Sequence, residues 1–498
     1  MSGPAELYIH EVRRLGPARL TAGMDVYRRL DWRTHRGTHG PLPHYGPTSL
    51  PQLAERVGLR GRGGAGFPFH RKARAVLRAA GARSVAPVVV VNGAEGEPPS
   101  AKDKALLTRA PHLVLDGALL AAEAFGAHEV VVTVAAGGPG EVSLPAAVAE
   151  RSRTAPCPVR IVCVPERFVS GESSAQVSAI GGHAALPATR AARASDGGPG
   201  GVGGRPTLLC NTETWAQLAL AARLGPDAYA VVGTAEEPGT LLLTVNRFGG
   251  HPLVVEVPAG AGLATVLTSC DTDPGQGVLV GGYHGAWLRP EAARAVEVSR
   301  AGLAAAGGTL GAGAVVALPH DTCPLGETAR VLRWLATQSA GQCGPCKRGL
   351  PEASAALERI AHGGAGPQAQ AAVRRALGSA VGNGACAHPD GTARFVHTAL
   401  DVFADDVRAH TTGTGCGRAV RGALPLPREH RPRLTVDWSR CTAHGLCAEV
   451  APGLVELGPH GYPMLHGADV APWQEAAARR AVSQCPSLAL RIAGPATG

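Results

Sequence analysis

The sequence predicts an α/β protein of several domains. Three observations lead to this expectation: the chain has 498 residues, short apolar runs alternate with helical patterns in its first half, and the period of the pattern changes twice further along. Hydrophobic residues make up 45% of the chain and charged residues 17%, which is the balance of a globular protein. The 67 glycines and 40 prolines indicate many loops.

The first domain is predicted over residues 1–238. Its strands are the apolar runs in "APVVVVNG", "HEVVVTVAAGG" and "CPVRIVCVP", and its helices include "LPQLAERVGLR" and "HRKARAVLRAA". From "GTLLLTVNRFGGHPLVVEV" the period becomes two, so a small β-rich domain is expected over residues 239–322. Helical patterns dominate residues 323–420, a proline-rich linker covers residues 421–432, and a compact module fills residues 433–498.

Composition excludes several classes of function. The net charge of +9 comes mostly from scattered arginines, and no basic run is interleaved with aromatic residues, so nucleic-acid binding is not expected. The first residues lack a signal-peptide pattern and no uncharged run reaches the length of a spanning helix, so we expect a cytoplasmic protein without direct membrane insertion. Twelve cysteines in that compartment indicate metal or redox chemistry.

A glycine-rich segment, "GLRGRGGAGFPFHRK", covers residues 58–72. Gly61, Gly63 and Gly66 satisfy G-x-G-x-x-G, but a helical pattern precedes them where a dinucleotide fingerprint requires a strand. Consecutive glycines still let backbone N–H groups approach a phosphate or a flat ring, and the following helix offers its positive end. The segment is therefore either a phosphate cradle outside the Rossmann pattern or a tight turn.

The cysteines form two groups and several single residues. The first group is Cys343, Cys346 and Cys386, and the second is Cys441, Cys447 and Cys485. The remaining cysteines are interpreted as small buried apolar residues, Cys323 among them, while Cys416 is interpreted as an exposed bystander.

Several motifs occur in one order: "GLRGRGGAGFP", "NGAEGEP", "FVSGESSA", "RPTLLCNTET" and "GQCGPCKRG". Over residues 45–410 the chain thereby resembles the NADH-oxidising flavin subunit of respiratory complex I and its relatives in soluble hydrogenases and formate dehydrogenases. The resemblance implies a flavin-binding α/β domain, a β-grasp-like domain and a helical-bundle iron–sulfur domain. The FMN-binding residues that it implies are Gly61, Gly63, Lys72, Asn92, Glu95, Gly171, Glu172, Asn211 and Thr214.

Chemistry supports parts of this set. Lys72 can neutralise a phosphate, and Thr214 can donate to one at a helix start. The resemblance also implies that the nicotinamide nucleotide lies beside Gly64, Ala65, Phe67 and Glu97. Glu95 and Glu97 are the implied contacts of the site of hydride transfer.

The chain departs from the family at other positions. The departures are Ser173 in place of an acidic residue, Ala94 in place of Asp and Cys210 in place of Asn. The aromatic residues that stack on the nucleotide in the family are also few here, so the sequence supports FMN more strongly than NAD(H). Loss of the carboxylate at Ser173 removes a charge that would repel the 2′-phosphate of NADP(H).

The family holds a four-iron cluster with four cysteines, and Ala340 occupies the position of the first of them. Cys343, Cys346 and Cys386 leave four alternatives: a three-iron cluster, a four-iron cluster completed by another ligand, a zinc site, or no metal. His388, two residues after Cys386, is the candidate replacement ligand.

The terminal module resembles the single-cluster ferredoxins of bacteria. Cys441, Cys447 and Cys485 followed by Pro486 fit their C-x-x-C-x-x-C and distant C-P spacing, with His444 at the middle position. The resemblance implies an α+β ferredoxin-like fold and a 3Fe-4S or 4Fe-4S cluster. A structural zinc site is the alternative, and His444 is either a ligand or a polar neighbour.

Together these features predict an oxidoreductase in which FMN passes electrons from NAD(P)H to iron–sulfur clusters and a one-electron acceptor. No catalytic residue is expected beyond the flavin itself. The expected partners are a nicotinamide nucleotide and a redox protein or further subunits, at a cytoplasmic site or at the periphery of a membrane complex. Two alternatives stay open: an electron-transfer flavoprotein that does not oxidise nicotinamide, and a scaffold in which only the ferredoxin module carries a cofactor.

Overall fold

The structure is a computed structural model of the whole chain. It describes residues 11–188, 192–363, 366, 368–427, 433–465, 470 and 474–493. Residues 428–432 of the predicted linker and residues 189–191 lie outside the described residues.

The first part of the chain builds a parallel sheet covered by helices. Its elements are β1 (Glu11–Arg14), α1 (Trp32–His39), α2 (Ser49–Arg56), α3 (Phe69–Arg83), β2 (Val88–Gly93), α4 (Lys102–Arg109), α5 (Pro111–Phe125), β3 (Glu129–Ala135), α6 (Pro139–Arg151), β4 (Val159–Val164), α7 (Ser173–Ile180), β5 (Thr207–Asn211) and α8 (Thr212–Ala230). Among the described residues this sheet has four strands in the order β4-β3-β2-β5, all parallel. Helix α5 is bounded by residues typical of helix ends: Pro111 is its first residue, and Gly126, which follows its last residue, has a left-handed backbone conformation.

A second, mixed sheet follows. Its elements are β6 (Thr240–Asn246), β7 (Leu253–Pro258), α9 (Leu263–Ser269), β8 (Val278–Val280), β9 (Ala286–Leu288), α10 (Pro290–Ala295), α11 (Arg300–Ala305) and β10 (Ala314–Ala317). The strand order is β1-β7-β6-β10-β8-β9. The first domain was predicted to start at residue 1, but β1 pairs in parallel with β7 and so belongs to the second sheet. Sequence period alone does not show which sheet an isolated four-residue strand joins.

The next part is helical. It contains α12 (Pro324–Thr337), a π turn (Pro345–Gly349), α13 (Leu350–Ala361), α14 (Ala369–Ala380), α15 (His388–Val402) and α16 (Ala404–Thr411). Buried leucine, valine and aromatic side chains from these helices form one core, which continues to Leu279 and Trp287 of the second sheet. This shared core fixes the helices against the sheet.

The terminal module has its own small core around Leu434, Leu454 and Leu490. It consists of β11 (Arg433–Val436), α17 (Leu446–Val450), β12 (Val455–Leu457), β13 (Pro463–Leu465), α18 (Glu475–Ser483) and β14 (Leu490–Ala493). β11 pairs antiparallel with β14, and β12 with β13.

In the part of the chain that the structure describes, no single helix has the length and apolar character needed to cross a membrane. Helices α4 and α5 reach the required length and apolar character only when they are counted together, and the two helices meet at a bend of 91°.

A buried charge network joins the helices on one face of the parallel sheet. The Asp116 carboxylate on α5 accepts hydrogen bonds from Arg151 at 2.5 Å, from His35 Nε2 at 2.7 Å and from Arg223. Burial alone would raise the pKa of Asp116, but the His35 hydrogen bond and the two guanidinium groups hold it well below its usual range. The network connects α1, α5, α6 and α8 through one carboxylate.

Asp116→Asn should destabilise this part of the protein. The change leaves two buried guanidinium groups without their anion, and breaking a buried ion pair costs about 3–5 kcal/mol of unfolding free energy. Urea unfolding followed by circular dichroism measures the loss. Asp227→Asn, the same change at a carboxylate that is 97% exposed, is the control and should shift the midpoint little. Equal midpoints for the two variants would contradict the network's role.

Candidate functional site

The candidate site lies at the carboxyl ends of β2 and β5. In the register of these two strands Asn92 is paired with Asn211, so both amides meet at the same edge of the parallel sheet. Ligand sites in parallel α/β sheets form at this edge. The Asn92 amide donates to Gly171 O at 2.8 Å, and the Asn211 side chain caps α8 by accepting from Glu213 N at 3.0 Å.

The glycine loop, residues 59–69, folds back on itself and lies against the end of β5. Gly61 N donates to Phe67 O and Phe69 N donates to Leu59 O, both at 2.9 Å. Gly64 has φ +107°, and a Cβ built on it would have no heavy atom within 4 Å. A Cβ on Gly63 would lie 3.2 Å from Asn211 Cβ. The loop therefore forms an open cradle of backbone against the strand end, with the shape and donors that fit a phosphate or a flat ring.

Two predicted contacts of the cradle have definite positions. Lys72 Nζ donates to Leu209 O at 2.8 Å, which holds the ammonium group beside the middle of β5. The hydroxyl of Thr214 is buried and accepts from Arg62 N at 2.9 Å, so it supports the loop from below. Phe67 is 50% exposed, and its ring is available for stacking. Gly63 and Ala65 are exposed as well.

Gly171 and Glu172 form the third side of the site. Glu172 caps α7, since its Oε2 accepts from Ser174 N at 2.8 Å and from Ala175 N at 3.1 Å. Gly171 lies so close to the β2 end that a Cβ would be 3.1 Å from Ala94 O. Ser173, the predicted departure from the acidic pair, is the first residue of α7.

A buried charge cluster below the cradle was missed by the sequence reasoning. Lys102 Nζ lies 2.8 Å from Asp103 Oδ1, 3.1 Å from Glu213 Oε2 and 3.2 Å from Asn211 Oδ1. Burial opposes the charge on Lys102, yet the carboxylates around it raise its pKa above the ordinary value. Burial raises the pKa of Asp103 to about 6 despite the adjacent ammonium group. The motif "KDKALL" was the available signal, but only the fold shows that both residues point inward.

Glu95 and Glu97 differ in their surroundings. The Glu95 carboxylate accepts from Asp103 N at 3.2 Å and Lys104 N at 3.0 Å at the start of α4, and from the Ser100 hydroxyl. Glu97 Oε1 accepts from Tyr283 N at 2.8 Å. Burial, together with the nearby charge of Glu95, raises the pKa of Glu97 to about 8. The neutral form of the Glu97 carboxyl is therefore favoured to a higher pH than that of an exposed glutamate.

Arginines tie the cradle to the second sheet. Arg62 is buried, and its guanidinium donates to Glu237 Oε1 at 3.1 Å and lies 3.8 Å from Glu213 Oε1. Arg300 donates to Gly61 O at 2.8 Å from the start of α11. Charged side chains from α8, from the segment before β6 and from α11 therefore hold the glycine loop in position.

The first cysteine group comes together beside the helical core. Cys346 lies in the π turn and is buried, and Cys386 is buried just before α15. Burial, with the adjacent Cys343 and Cys386 thiols, raises the pKa of Cys346 to about 12. Three neighbouring thiols fit an iron–sulfur cluster or zinc, both of which bind thiolates.

The prediction that His388 supplies a fourth ligand is corrected by the structure. Its Nε2 lies 2.9 Å from Leu335 O and its Nδ1 lies 3.1 Å from Nε2 of His284. Both ring nitrogens are therefore engaged in the core. Position in the sequence, two residues after Cys386, did not reveal these hydrogen bonds.

The second cysteine group lines one pocket of the terminal module. Cys441, Cys447 and Cys485 surround it together with His444. The Thr442 hydroxyl is 2.9 Å from His444 Nδ1, which leaves Nε2 as the nitrogen suited to a metal. Leu446, Pro463 and Pro486 supply an apolar lining. Thiols, an imidazole and apolar walls are the surroundings that fit an iron–sulfur cluster.

Three known protein families match separate regions of the chain. The Nuo51 FMN-binding domain matches residues 54–220, the NADH-ubiquinone oxidoreductase-F iron-sulfur binding region matches residues 327–410, and a 4Fe-4S single cluster domain matches residues 434–492. Over the first two of these regions the chain is similar to the flavin subunit of complex I. It differs from a flavin subunit alone by its fused ferredoxin-type domain, as predicted.

Individual relatives agree with this assignment. An NADH-quinone oxidoreductase F-type subunit of Rhizobium meliloti is 27% identical over 77% of this chain and 93% of its own length. The NADP-reducing hydrogenase subunit HndC of Solidesulfovibrio fructosivorans is 26% identical over 82% of this chain and 83% of its own. A solved structure of an NAD+-reducing [NiFe]-hydrogenase in the H2-reduced state has a TM-score of 0.69 at 25% identity, and covers 91% of this chain and 73% of its own.

Arg62→Met should weaken FMN retention. The change removes the cation between Glu213 and Glu237, and the loop that carries Gly61 and Gly63 then loses its fixed position. We expect the Kd for FMN to rise at least about tenfold, which corresponds to about 1.4 kcal/mol. Arg60→Met, at an exposed arginine of the same loop, is the control. Fluorescence titration of the deflavinated protein measures both, and unchanged affinity in Arg62→Met would contradict the loop's dependence on this cation.

Proposed function

We propose that the chain passes electrons between a nicotinamide nucleotide and a one-electron acceptor through FMN and iron–sulfur clusters, as a subunit of a larger assembly. The observation that carries this proposal is the open glycine cradle beside the paired Asn92 and Asn211, on the same chain as two groups of three cysteines. The relatives named above are subunits of NADH-quinone oxidoreductase and of hydrogenase. Further subunits of this kind are the partners we propose, at the periphery of a membrane complex or free of it.

When bound, FMN supplies the conversion between hydride transfer and single-electron transfer. The chain's own residues provide the binding and orientation. Lys72 uses one ammonium proton on Leu209 O and keeps the others for a phosphate. The hydrogen bond from the Asn92 amide to Gly171 O holds the adjacent residue, Glu172, near the end of β2. The predicted FMN contacts lie in the loop, in the segment after β2, at the end of β5 or in the first turn of α8, which supports their assignment; they are Gly61, Gly63, Glu95, Asn211 and Thr214.

The nicotinamide side is proposed on the exposed side of the cradle. Gly64, Ala65 and Phe67 present backbone and an aromatic face there. The raised pKa of Glu97 disfavours its negative charge, which would lessen the repulsion of the phosphates of an incoming nucleotide. Glu97 Oε1 is held by a hydrogen bond from Tyr283 N.

The second cluster is proposed to be held by Cys441, Cys447, Cys485 and Nε2 of His444. The match to a 4Fe-4S single cluster domain supports four irons, and four irons need four ligands. His444 is the residue of the pocket that can supply the ligand missing from the cysteine pattern. At the first group, Cys343, Cys346 and Cys386 supply three ligands, and we propose an iron–sulfur cluster there as well.

Anaerobic titration tests the nucleotide. NADH should bleach the flavin absorption, and NADPH should do so too because Ser173 adds no second carboxylate beside Glu172 at the start of α7. Ser173→Glu should lower kcat/KM for NADPH relative to NADH by about tenfold, since one added charge repulsion of about 1.4 kcal/mol gives that factor. Ser173→Ala is the control without added charge. Flavin that neither nucleotide bleaches would rule out nicotinamide oxidation and leave the electron-transfer flavoprotein.

His444→Ala should convert the terminal cluster from four irons to three. A three-iron cluster is paramagnetic when oxidised, whereas a four-iron cluster of this type is silent, so a new paramagnetic resonance signal should appear in the oxidised variant. Iron per chain should fall by about one, which is the difference between the two cluster types. Thr442→Val, which removes only the hydroxyl at Nδ1, should keep the signal silent. An unchanged spectrum in His444→Ala would show that His444 is a polar neighbour.

A further inference from the structure

A third group of metal-ligating side chains lies outside both predicted cysteine groups. Cys323 precedes α12, His410 lies in the last turn of α16, and Cys416 follows in the next loop. One ligand atom from each lies within 4.8 Å of the other two. Cys323 is buried, as the sequence interpretation expects, but beside polar partners, and Cys416 is half-buried among them rather than an exposed bystander. Cys323 and His410 are 87 positions apart, so no spacing motif reveals the group.

We infer that Cys323 Sγ, Cys416 Sγ and His410 Nε2 form a zinc site that fastens the end of the helical part to its beginning. Two sulfur ligands and one imidazole nitrogen match the ligands that zinc prefers, and a fourth tetrahedral position stays open for water. The site is separate from the Cys343, Cys346 and Cys386 group and does not depend on the proposed electron path.

The distances agree with tetrahedral zinc. With Zn–S near 2.3 Å and Zn–N near 2.0–2.1 Å, a tetrahedron places sulfur and nitrogen about 3.6 Å apart and two sulfurs about 3.8 Å apart. Cys323 Sγ lies 3.6 Å from His410 Nε2. The three ligand atoms therefore need little movement to reach a common ion.

Hydrogen bonds orient two of the ligands. Gly326 N, in the first turn of α12, donates to Cys323 Sγ at 3.3 Å. Cys416 N donates to His410 Nε2 at 3.3 Å, so this nitrogen carries the lone pair rather than the proton. Cys323 is 2% and His410 6% exposed, so bulk water competes little for either ligand.

Hydrogen bonds already join the segment after Cys416 to the start of α12. Cys323 N donates to Ala419 O at 3.0 Å. The buried Glu327 carboxylate accepts from the backbone N–H groups of Arg421, Gly422 and Ala423. The segment after Cys416 thus lies against the start of α12, just ahead of the connection to the ferredoxin-type domain. An ion here would lock that segment at the point where the domain is attached.

Metal analysis of the full-length protein tests the site. The protein is purified without oxygen in the presence of zinc and iron, treated with EDTA, and analysed for zinc, iron and flavin per chain. Wild type should retain about one zinc, and Cys416→Ser should lose at least about four-fifths of it because the site then has two ligands. Iron and flavin should stay unchanged in Cys416→Ser, which shows that this variant is folded.

Two controls separate this group from other thiols. Cys157→Ser, at a half-buried single cysteine, and Cys343→Ser, in the first cluster group, should both keep the zinc. X-ray absorption spectroscopy at the zinc edge of the wild-type protein should show two sulfur ligands and at least one nitrogen ligand. This measurement needs no variant, so it tests the site even if a variant fails to fold. Absence of zinc from wild type, loss of zinc in Cys343→Ser, loss of iron in Cys416→Ser, or a peptide disulfide joining Cys323 to Cys416 would each overturn the inference.

Discussion

The parallel pairing of β2 with β5 is the constraint on which the candidate flavin site depends. Because Val88 to Val91 form a fully buried strand beside Leu208 and Leu209, the register is fixed, and Asn92 and Asn211 must end side by side. The glycine loop then needs no strand of its own. It lies on the β5 end through close backbone approach at Gly63, which explains why a G-x-G-x-x-G pattern after a helix can still form a cradle.

Buried ion pairs connect the glycine loop and the parallel sheet to the second sheet. Lys102 and Arg62 each lie between carboxylates that come from different elements, and Glu213 contacts both. A buried cation and anion are costly to separate, so the loop, α4, α8 and the second sheet keep one relative position. Preorganisation of this kind gives the candidate flavin site a fixed shape.

Much of the fold follows from the sequence because its signals are local. The valine runs of β2 and β3, the hairpin of β6 and β7 and the terminal module were all recognisable from period and turns. The predicted first domain included residues 11–14, whereas β1 pairs with β7 of the second sheet, because partner choice is a long-range property. The same division holds for the sites. Glycines, asparagines and C-x-x-C motifs lie at adjacent positions in the sequence, so candidate sites could be proposed from them.

Lys102, Arg62 and the group of Cys323, His410 and Cys416 could not be predicted, because tertiary packing alone brings their partners together. His388 shows the converse: a short spacing to Cys386 suggested a ligand, and the ring turned out to be hydrogen-bonded to Leu335 O and His284.

The central claim is that one chain carries the electron path from the flavin cradle to the terminal cluster. Rapid-freeze paramagnetic resonance after anaerobic mixing with one equivalent of reduced nucleotide tests it most directly. The account predicts that the reduced-cluster signal of the terminal domain appears after flavin bleaching, at a rate that does not change with protein concentration. Bleached flavin with a terminal cluster that stays oxidised, or is reduced only in proportion to protein concentration, would contradict it.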